Sequence, residues 1–291
     1  MGAPDPEWTI GFGMSEHRVG LVADVQYADL EDREGARFRS SLDRLSAVLE
    51  HFSEEGVQRV IQLGDVIEGH EDIARSEADL DRVLQVFEAG GLPVAHVIGN
   101  HCLSIPRIHL CRRLGIPTAR RSFTLPGWRW LLLDSMELSL QGSEPGMASR
   151  WLEDHPLEVH PQASPWNGGL GGAQLDWLED QLRAAAASGE STVVLSHHPV
   201  HPGAARARYL AWDHEEVLSR LRSLPEEVVP LAWFSGHDHR GGHVFEAGTG
   251  FWTLPGVIAA EGSPGPGIVV ELGEGCLELV GFGGAPSYRR P

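Results

Sequence analysis

The stretch RVGLVADVQ, residues 18–26, joins a short apolar segment to two polar side chains. Residues 18–23 are typical of a strand buried inside a sheet, because the apolar run is short and ends in polar residues. Residues i and i+2 of an extended segment point to the same side, so Asp24 and Gln26 are expected to face one way. The stretch therefore predicts a buried strand with paired polar groups at its end.

Outward from this stretch, strands and helices alternate along the chain. Further strands are predicted over residues 57–63, 93–98, 128–133, 192–195 and 231–234, with short C-terminal strands such as 268–272 and 276–280. Helices with one apolar face are predicted over residues 40–52, 79–89, 174–187 and 213–224. This alternation indicates an α/β fold in which helices cover the sheet.

The segment 134–172 does not follow this pattern. It is long, irregular and rich in glycine, proline and serine. Loops of this length within a compact domain are usually functional, so we interpret the segment as a substrate loop, with a plain surface excursion as the alternative.

The chain is strongly acidic, with a formal net charge of −18 over 291 residues. This charge argues against nucleic acid and anionic membranes as partners, because both bind basic surfaces. It does not argue against a small nucleotide substrate, since bound metal ions can reverse the local electric field.

The cysteines and the N-terminus bear on the compartment. Cys102, Cys111 and Cys276 follow no disulfide pattern, which favours a reducing environment. The N-terminus lacks the apolar core of a leader, and no window approaches the roughly 20 apolar residues of a membrane span. We therefore expect a cytoplasmic protein, and nothing in the sequence indicates a particular oligomeric state.

Polar clusters follow five of the predicted strands. They are Asp24-Val25-Gln26, Gly64-Asp65, Gly99-Asn100-His101, Ser196-His197 and Gly236-His237-Asp238-His239. The loops at the carboxyl ends of strands converge in α/β sheets, so these clusters are candidates for one site. Oxygen and nitrogen donors without a thiolate suit Mn, Mg, Fe or Zn.

Each cluster has an ordinary structural explanation when it is taken alone. A single histidine after a strand is usually structural, and a Gly-Asp pair is a common turn. The occurrence of all five clusters in this order, each at a strand end, is not explained in that way. The joint pattern therefore predicts a metal site.

The order D-x-(H/Q), GD, GNH, SH and GHxH resembles the calcineurin-like metallophosphoesterase superfamily. The motifs extend from Asp24 to His239, over most of the chain. The resemblance implies a four-layer α/β/β/α sandwich, with two mixed β-sheets flanked by helices. It also implies a single domain over residues 1–291 with one dinuclear metal centre.

The same resemblance assigns roles to individual residues. It gives the first metal Asp24, Gln26, Asp65 and His239, and the second metal Asp65, Asn100, His197 and His237. Asp65 would then bridge two divalent ions, and His101 would be the catalytic acid beside the leaving group. A metal-bound hydroxide would attack phosphorus.

Four further segments narrow the resemblance. DVQYADLED (24–32), LGDVIEG (63–69), WNGG (166–169) and GVIAAEG (256–262) are similar to the manganese-dependent ADP-ribose/CDP-alcohol diphosphatase family. This similarity implies hydrolysis of nucleoside diphosphate-linked compounds with Mn as the favoured metal. The chain has Gln26 where most superfamily members have histidine, and Cys102 where an acidic residue is expected.

Substrate contacts are predicted at several positions with open alternatives. Arg37 could meet a phosphate or lie on a solvated helix face. Trp166 could stack on a base or serve structure alone, and Asn167 could read the edge of that base. His198 could touch substrate or be a solvated loop residue.

Two other functions are compatible with parts of the sequence. One is a broad-specificity phosphodiesterase or phosphomonoesterase of the same fold. The other is a non-catalytic scaffold that kept the fold and lost its metals. A scaffold should have lost several ligands, and the sequence retains a polar residue at every ligand position.

Overall fold

The computed structural model of the protein describes residues 17–33, 35–118 and 120–289. Most of the N-terminal segment in which no leader is predicted lies outside the described residues. Within the described ranges the strands are β1 (His17–Val22), β2 (Arg59–Gln62), β3 (Val94–His96), β4 (Arg121–Leu125), β5 (Trp128–Leu132), β6 (Ser191–Leu195), β7 (Ala232–Ser235), β8 (Gly242–Glu246), β9 (Thr249–Thr253), β10 (Gly267–Leu272), β11 (Leu277–Phe282) and β12 (Tyr288–Arg289).

The helices lie mostly between consecutive strands. They are α1 (Ser41–Glu54), α2 (Ile73–Ala89), α3 (Arg107–Arg113), α4 (Pro145–Asp154), α5 (Gly172–Ala187) and α6 (His214–Ser223). Short 3₁₀ turns occur at His101–Ser104, Ala207–Tyr209 and Val257–Ala259. No helix among the described residues is long and apolar enough to cross a bilayer.

The strands form two mixed sheets of six strands each. The first sheet has the order β12-β11-β10-β1-β2-β3, in which β1, β2 and β3 are parallel and β10 to β12 are antiparallel additions. The second has the order β4-β5-β6-β7-β9-β8, in which β5, β6, β7 and β9 are parallel. In the second sheet the parallel strands occupy central positions, whereas in the first they lie at one side and end with the edge strand β3.

Three apolar clusters hold the layers together. One joins the facing sides of the two sheets, with Leu21, Ile61 and Leu63 from the first sheet and Trp130 and Phe234 from the second. A second packs α1 and α2 on the outer face of the first sheet, and a third packs α5 and α6 on the outer face of the second. The predicted four-layer α/β/β/α sandwich is confirmed.

The strands alternate between these clusters because successive side chains point to opposite faces. In β2, for example, Val60 packs toward the helices, whereas Ile61 packs between the sheets. Both faces are covered, which explains why these strands are continuous apolar runs in the sequence.

Some elements differ from the sequence-based prediction. Helix α2 begins at Ile73 instead of Asp79, with Asp72 as its N-cap accepting a hydrogen bond from the Ala74 amide at 2.9 Å. Ile73 is 44% exposed, so the first turns contribute no apolar face that the pattern could reveal. Within the segment predicted to be irregular, α4 forms with proline in its first turn, and Ala148 is its buried residue.

Candidate metal centre

The five polar clusters meet where the carboxyl ends of the parallel strands of both sheets come together. Asp24 and Asp65 follow β1 and β2 of the first sheet, whereas His197 and His237 follow β6 and β7 of the second. The two sheets are joined directly here, because Asp65 Oδ2 lies 3.1 Å from His197 Nε2. The convergence expected from strand ends is therefore present in the folded chain.

The backbone of the turns after these strands has an unusual conformation. Asp24, Gln26, Asp65 and His237 have positive φ angles of 52°, 42°, 52° and 70°. Such angles are uncommon for residues other than glycine and cost about 1–3 kcal/mol each, so they persist where the surrounding structure enforces them. One enforcing contact is visible, since the His237 amide donates to Asp24 Oδ2 at 2.9 Å.

Glycines allow the turns to approach one another closely. A Cβ atom on Gly99 would lie 2.2 Å from Asp65 Oδ1, and one on Gly64 would lie 2.4 Å from His197 Nδ1. Any side chain at these positions would displace a predicted ligand. The glycines in the GD and GNH motifs are therefore required by space at the site.

The potential ligand atoms cluster around Asp65. His197 Nε2 lies 3.1 Å from both Asp65 Oδ2 and Asn100 Oδ1. Gln26 Nε2 donates to Asp65 Oδ2 at 3.3 Å. Asp65, His197 and His237 each offer one ligand atom within 4.8 Å of the others. A central carboxylate with donors on both sides is the arrangement that a bridging ligand requires.

The remaining predicted ligands adjoin this group. Asp24 is fully buried, and its Oδ1 lies 3.7 Å from His239 Nε2. His239 also lines the neighbouring cavity. The structure thus brings Asp24, Gln26, Asp65, Asn100, His197, His237 and His239 into one site.

Hydrogen bonds orient two of the imidazoles. His197 Nδ1 donates to the Leu63 carbonyl at 2.8 Å, and His237 Nε2 donates to Asn167 Oδ1 at 2.8 Å. Each bond fixes a proton on one ring nitrogen and leaves the other, Nε2 of His197 and Nδ1 of His237, available to a cation. Ligating histidines are commonly held in this way.

Asn167 and His198 lie behind the predicted ligands, although both were candidate substrate contacts and His198 was alternatively a solvated loop residue. Asn167 is fully buried and donates through its amide nitrogen to the Gln162 carbonyl at 2.9 Å. His198 is also fully buried, with its Nδ1 2.8 Å from Ser135 Oγ. Neither side chain lines the cavity. The second histidine of the SHH sequence points inward because the strand end alternates faces.

The electrostatics of the site indicate a place for cations. Burial raises the pKa of Asp24, and the neighbouring Asp65 carboxylate adds to this rise. Although burial would lower the pKa of His197, the Asp65 carboxylate overcomes it and raises the pKa to about 9. Buried carboxylates here thus require positive charge, which a proton on His197 supplies in the free protein and a divalent cation can replace.

His101 lies next to this group and contacts an acidic residue that the sequence analysis did not assign. Its Nδ1 lies 3.0 Å from the Glu68 carbonyl and 3.2 Å from the Glu68 carboxylate. Burial alone would lower the pKa of His101, but the carboxylates of Asp65 and Glu68 raise it above the ordinary value. Glu68 belongs to the quoted LGDVIEG stretch, although its spacing alone does not reveal a contact with His101.

A cavity of about 650 Å³ opens onto the site. Its described lining consists of Gln26, Asn100, His101, Leu103, Ser104, Gln141, Trp166, Arg208, Tyr209, His237 and His239. The predicted substrate residue Trp166 is in this lining, but Arg37 is not. Arg37 lies outside, where its guanidinium is 3.5 Å from the Glu261 carboxylate. Tyr209 and Arg208 were missed because the loop that carries them has no motif.

The donor set fits divalent cations. It combines carboxylate, amide oxygen and imidazole, which suit Mn, Mg, Fe or Zn, and it contains no thiolate. The nearby Cys102 is fully buried, and burial raises the pKa of its thiol to about 12, so it stays protonated. Its Sγ accepts a hydrogen bond from the Val66 amide at 3.2 Å.

Comparison with known proteins defines the class of protein. The sequence model of the calcineurin-like phosphoesterase family matches residues 17–241, which include every predicted ligand. The chain therefore belongs to the calcineurin-like phosphoesterase family and is a metal-dependent hydrolase. The family resemblance inferred from the motifs is confirmed.

Two individual relatives show which proteins of this family the chain resembles. The chain is 35% identical to the manganese-dependent ADP-ribose/CDP-alcohol diphosphatase of Danio rerio, over 82% of this chain and 87% of the relative. It is 32% identical to the protein of the same name from Oryza sativa subsp. japonica, over 77% and 78% of the two chains. The shared name of these relatives gives manganese as their metal and ADP-ribose and CDP-alcohols as their substrates.

Solved structures support the same relationship. The fold matches a dimetal phosphatase from Danio rerio with a TM-score of 0.84 and 32% identity, over 94% of this chain and 98% of that one. A purple acid phosphatase from yellow lupin matches with a TM-score of 0.62 and 12% identity, over 94% and 52% of the two chains. The second match shows a shared fold alone.

Proposed function

We propose that this protein is a dinuclear metal-dependent phosphohydrolase of nucleoside diphosphate-linked compounds such as ADP-ribose or CDP-alcohols. It would cleave the phosphoanhydride or phosphodiester bond of these compounds, with Mn as the favoured metal. The observation that carries the proposal is Asp65, which lies between His197 and Gln26, beside a cavity that Gln26 lines. The names of the relatives support the substrate class and the metal.

The ligands divide into two groups around Asp65. Asp24, Gln26 and His239 would hold one ion, and Asn100, His197 and His237 would hold the other. When bound, two divalent cations supply a nucleophilic water at neutral pH and neutralise charge on the phosphoryl oxygens. The buried walls of the site lower the local dielectric constant, which strengthens these interactions.

The surroundings of His101 support a role for this residue at the leaving group. Its Nδ1 faces Glu68, so the ring presents Nε2 on its other side, and the residue lines the cavity. The Asp65 and Glu68 carboxylates favour the protonated ring. We infer that His101 donates a proton from Nε2 to the departing oxygen, while Glu68 keeps the ring in position.

The cavity has the size and surfaces that a nucleotide requires. Its volume of about 650 Å³ lies within the range of roughly 300–1,000 Å³ that is usual for small-molecule sites. Trp166 and Tyr209 present aromatic faces, on which a base can stack. Both rings lie 5.4 Å from the His237 ring between centroids, so a stacked base would adjoin this proposed ligand.

The acidic composition supports a small nucleotide as the partner, and the free thiols support a cytoplasmic location. A net charge of −18 favours a small nucleotide over nucleic acid as the partner. Cys102, Cys111 and Cys276 are free, which agrees with a cytoplasmic location.

A substrate panel separates this function from its alternatives. Purified protein with Mn²⁺ would be given ADP-ribose, CDP-choline, cyclic nucleotides and p-nitrophenyl phosphate, and the products identified. Preferred cleavage of ADP-ribose or CDP-choline is expected. Comparable rates on all substrates would instead favour the broad-specificity phosphoesterase, and absence of both metal binding and turnover would favour the scaffold.

Replacement of Gln26 by histidine is expected to change metal choice and substrate choice together. Gln26 lies 3.3 Å from Asp65 and lines the cavity, so it can offer an amide oxygen to the first metal. Oxygen donors suit Mn and Mg, whereas imidazole suits Zn and Fe. Gln26→His should therefore retain more Zn or Fe and shift activity from ADP-ribose toward bis-p-nitrophenyl phosphate.

The measurements are metal content after exposure to equimolar mixtures and the ratio of the two activities. Gln141→His is a matched control, because Gln141 lines the cavity but is not among the proposed ligands. If Gln26→His has the same metal content and the same activity ratio as wild type, Gln26 selects neither the metal nor the substrate.

A further inference from the structure

The cavity has an aromatic wall that carries one arginine. Trp166 and Tyr209 form this wall, with their ring centroids 5.9 Å apart. The guanidinium carbon of Arg208 lies 5.1 Å from the Tyr209 ring centroid and 5.7 Å from that of Trp166. Aromatic faces attract a guanidinium and reduce the number of positions that it samples.

Arg208 is the charged group of the cavity. Among the described lining residues it alone carries a permanent charge, and none of them is acidic. No carboxylate of the described residues forms an ion pair with it, although the chain as a whole is strongly acidic. The chain also contains no lysine. Arg208 is therefore the permanently charged cation of this lining that is available to a second anionic group on a bound substrate.

The neighbouring arginine Arg206 cannot take this role. Its guanidinium is bound to the Asp238 carboxylate by hydrogen bonds of 2.6 to 3.1 Å. It also lies 4.4 Å from the Tyr209 ring centroid, on which it packs. Arg206 thus fixes the loop to the turn between His237 and His239, and its charge is already neutralised.

The backbone at Arg208 is tied to a predicted metal ligand. Asn167 donates through its amide nitrogen to the carbonyls of Arg208 and Leu210, at 2.9 and 3.3 Å. The carbonyl oxygen of the same amide accepts from His237. Because one buried side chain holds both, the distance between Arg208 and the metal centre is set by the fold.

We propose that Arg208 binds the second phosphate of the substrate, the one that is not attacked. This inference rests on the proposed function, in which the substrate contains two linked phosphates. A guanidinium can donate two parallel hydrogen bonds to phosphate oxygens, and its exposed position leaves these donors accessible. Arg208 therefore selects diphosphate-linked substrates over esters with a single phosphate, and it does so by binding.

The test compares wild type with Arg208→Gln on two nucleoside substrates. One is ADP-ribose, and the other is the p-nitrophenyl ester of thymidine 5′-monophosphate, which has a base but a single phosphate. Arg208→Gln should raise KM for ADP-ribose roughly 10- to 100-fold, with a smaller change in kcat, because a charge-assisted hydrogen bond is lost. The monophosphate ester should be cleaved with nearly unchanged kinetics.

Two further variants serve as controls. Arg208→Lys keeps the charge but not the paired donors, so it should recover part of the affinity for ADP-ribose. Arg120→Gln removes an arginine that also lies over an aromatic ring, 6.0 Å from the Trp177 centroid, but outside the cavity lining. It should leave both substrates unaffected.

Direct binding of a methylene-bridged analogue of ADP-ribose to the Mn²⁺-loaded protein, measured by calorimetry, should show the same loss in Arg208→Gln. Equal losses on both nucleoside substrates would overturn the proposal in favour of contact with the base, and equal KM values for ADP-ribose in wild type and Arg208→Gln would overturn it outright. If wild type cleaves no diphosphate substrate, the proposed function itself fails, which is a different result from these two.

Discussion

Replacement of Asp65 by asparagine is expected to abolish nearly all activity and to reduce metal binding more than any other single ligand change. Asp65 is fully buried, with one carboxylate oxygen 3.1 Å from His197 and the other accepting from the His101 amide at 2.9 Å. It is the carboxylate that both proposed metal sites share. An asparagine of the same shape would offer both cations a neutral donor.

The expected loss of turnover is roughly 10³-fold or more, because several kcal/mol of charge stabilisation disappears. Metal content by elemental analysis should fall at the same time. The increase in melting temperature that Mn²⁺ causes in wild type should also shrink, since it depends on affinity for the folded state.

Asp79→Asn is a matched control for this experiment. Asp79 is a buried carboxylate that pairs with His70 at 2.7 Å and does not line the cavity. Its replacement should leave metal content unchanged, whatever it does to stability. If Asp65→Asn instead kept two metals and near-normal turnover, the bridging assignment would be wrong.

Replacement of His101 by alanine is expected to lower kcat roughly 10²- to 10⁴-fold with little change in metal content. The ring lines the cavity and is held by Glu68, but it is not in the proposed ligand set. A general acid matters most when the leaving group is a strong base. The loss should therefore be large for a cyclic nucleotide, whose leaving group is a strongly basic alkoxide, and smaller for p-nitrophenyl esters, whose leaving group departs without a proton.

His109→Ala is the control, because His109 is exposed on the surface and 3.7 Å from Glu77. It should behave as wild type on every substrate. Equal losses in His101→Ala for good and poor leaving groups would argue against proton donation. They would favour a role for His101 in neutralising phosphate charge alone.

The residues of this site that can be predicted from the sequence are those that directly follow a strand. Asp24 and Gln26 follow an apolar run in which the alternation of an extended chain fixes their direction. Asp65 and His197 follow similar runs in different sheets. Their convergence could be expected because parallel strands end on the same side.

The remaining contacts depend on tertiary structure that the sequence does not encode locally. Glu68, which follows β2, contacts His101, which follows β3, and Arg208 lies in a loop without a motif. Asn167 was a candidate for substrate contact, but it is fully buried and hydrogen-bonded to His237. Arg37 follows the first motif closely in sequence, and yet it faces solvent near Glu261.

Secondary structure shows the same division. The predicted helices over 40–52 and 174–187 match α1 and α5, because each has a continuous apolar face. The edge strand β4 and the helix α4 were missed, since β4 contains no fully buried residue and α4 buries Ala148. Periodicity reports burial, so elements that bury little leave a weak signal.

The most direct test of the two-metal site is a titration of metal-free protein with Mn²⁺, followed by elemental analysis of the washed protein. The arrangement of ligands on both sides of Asp65 predicts two Mn²⁺ ions per chain at saturation. Electron paramagnetic resonance of the same sample should show that the two ions are magnetically coupled, because one carboxylate bridges them. Saturation at one ion per chain, or at two ions without coupling, would contradict a dinuclear centre bridged by Asp65.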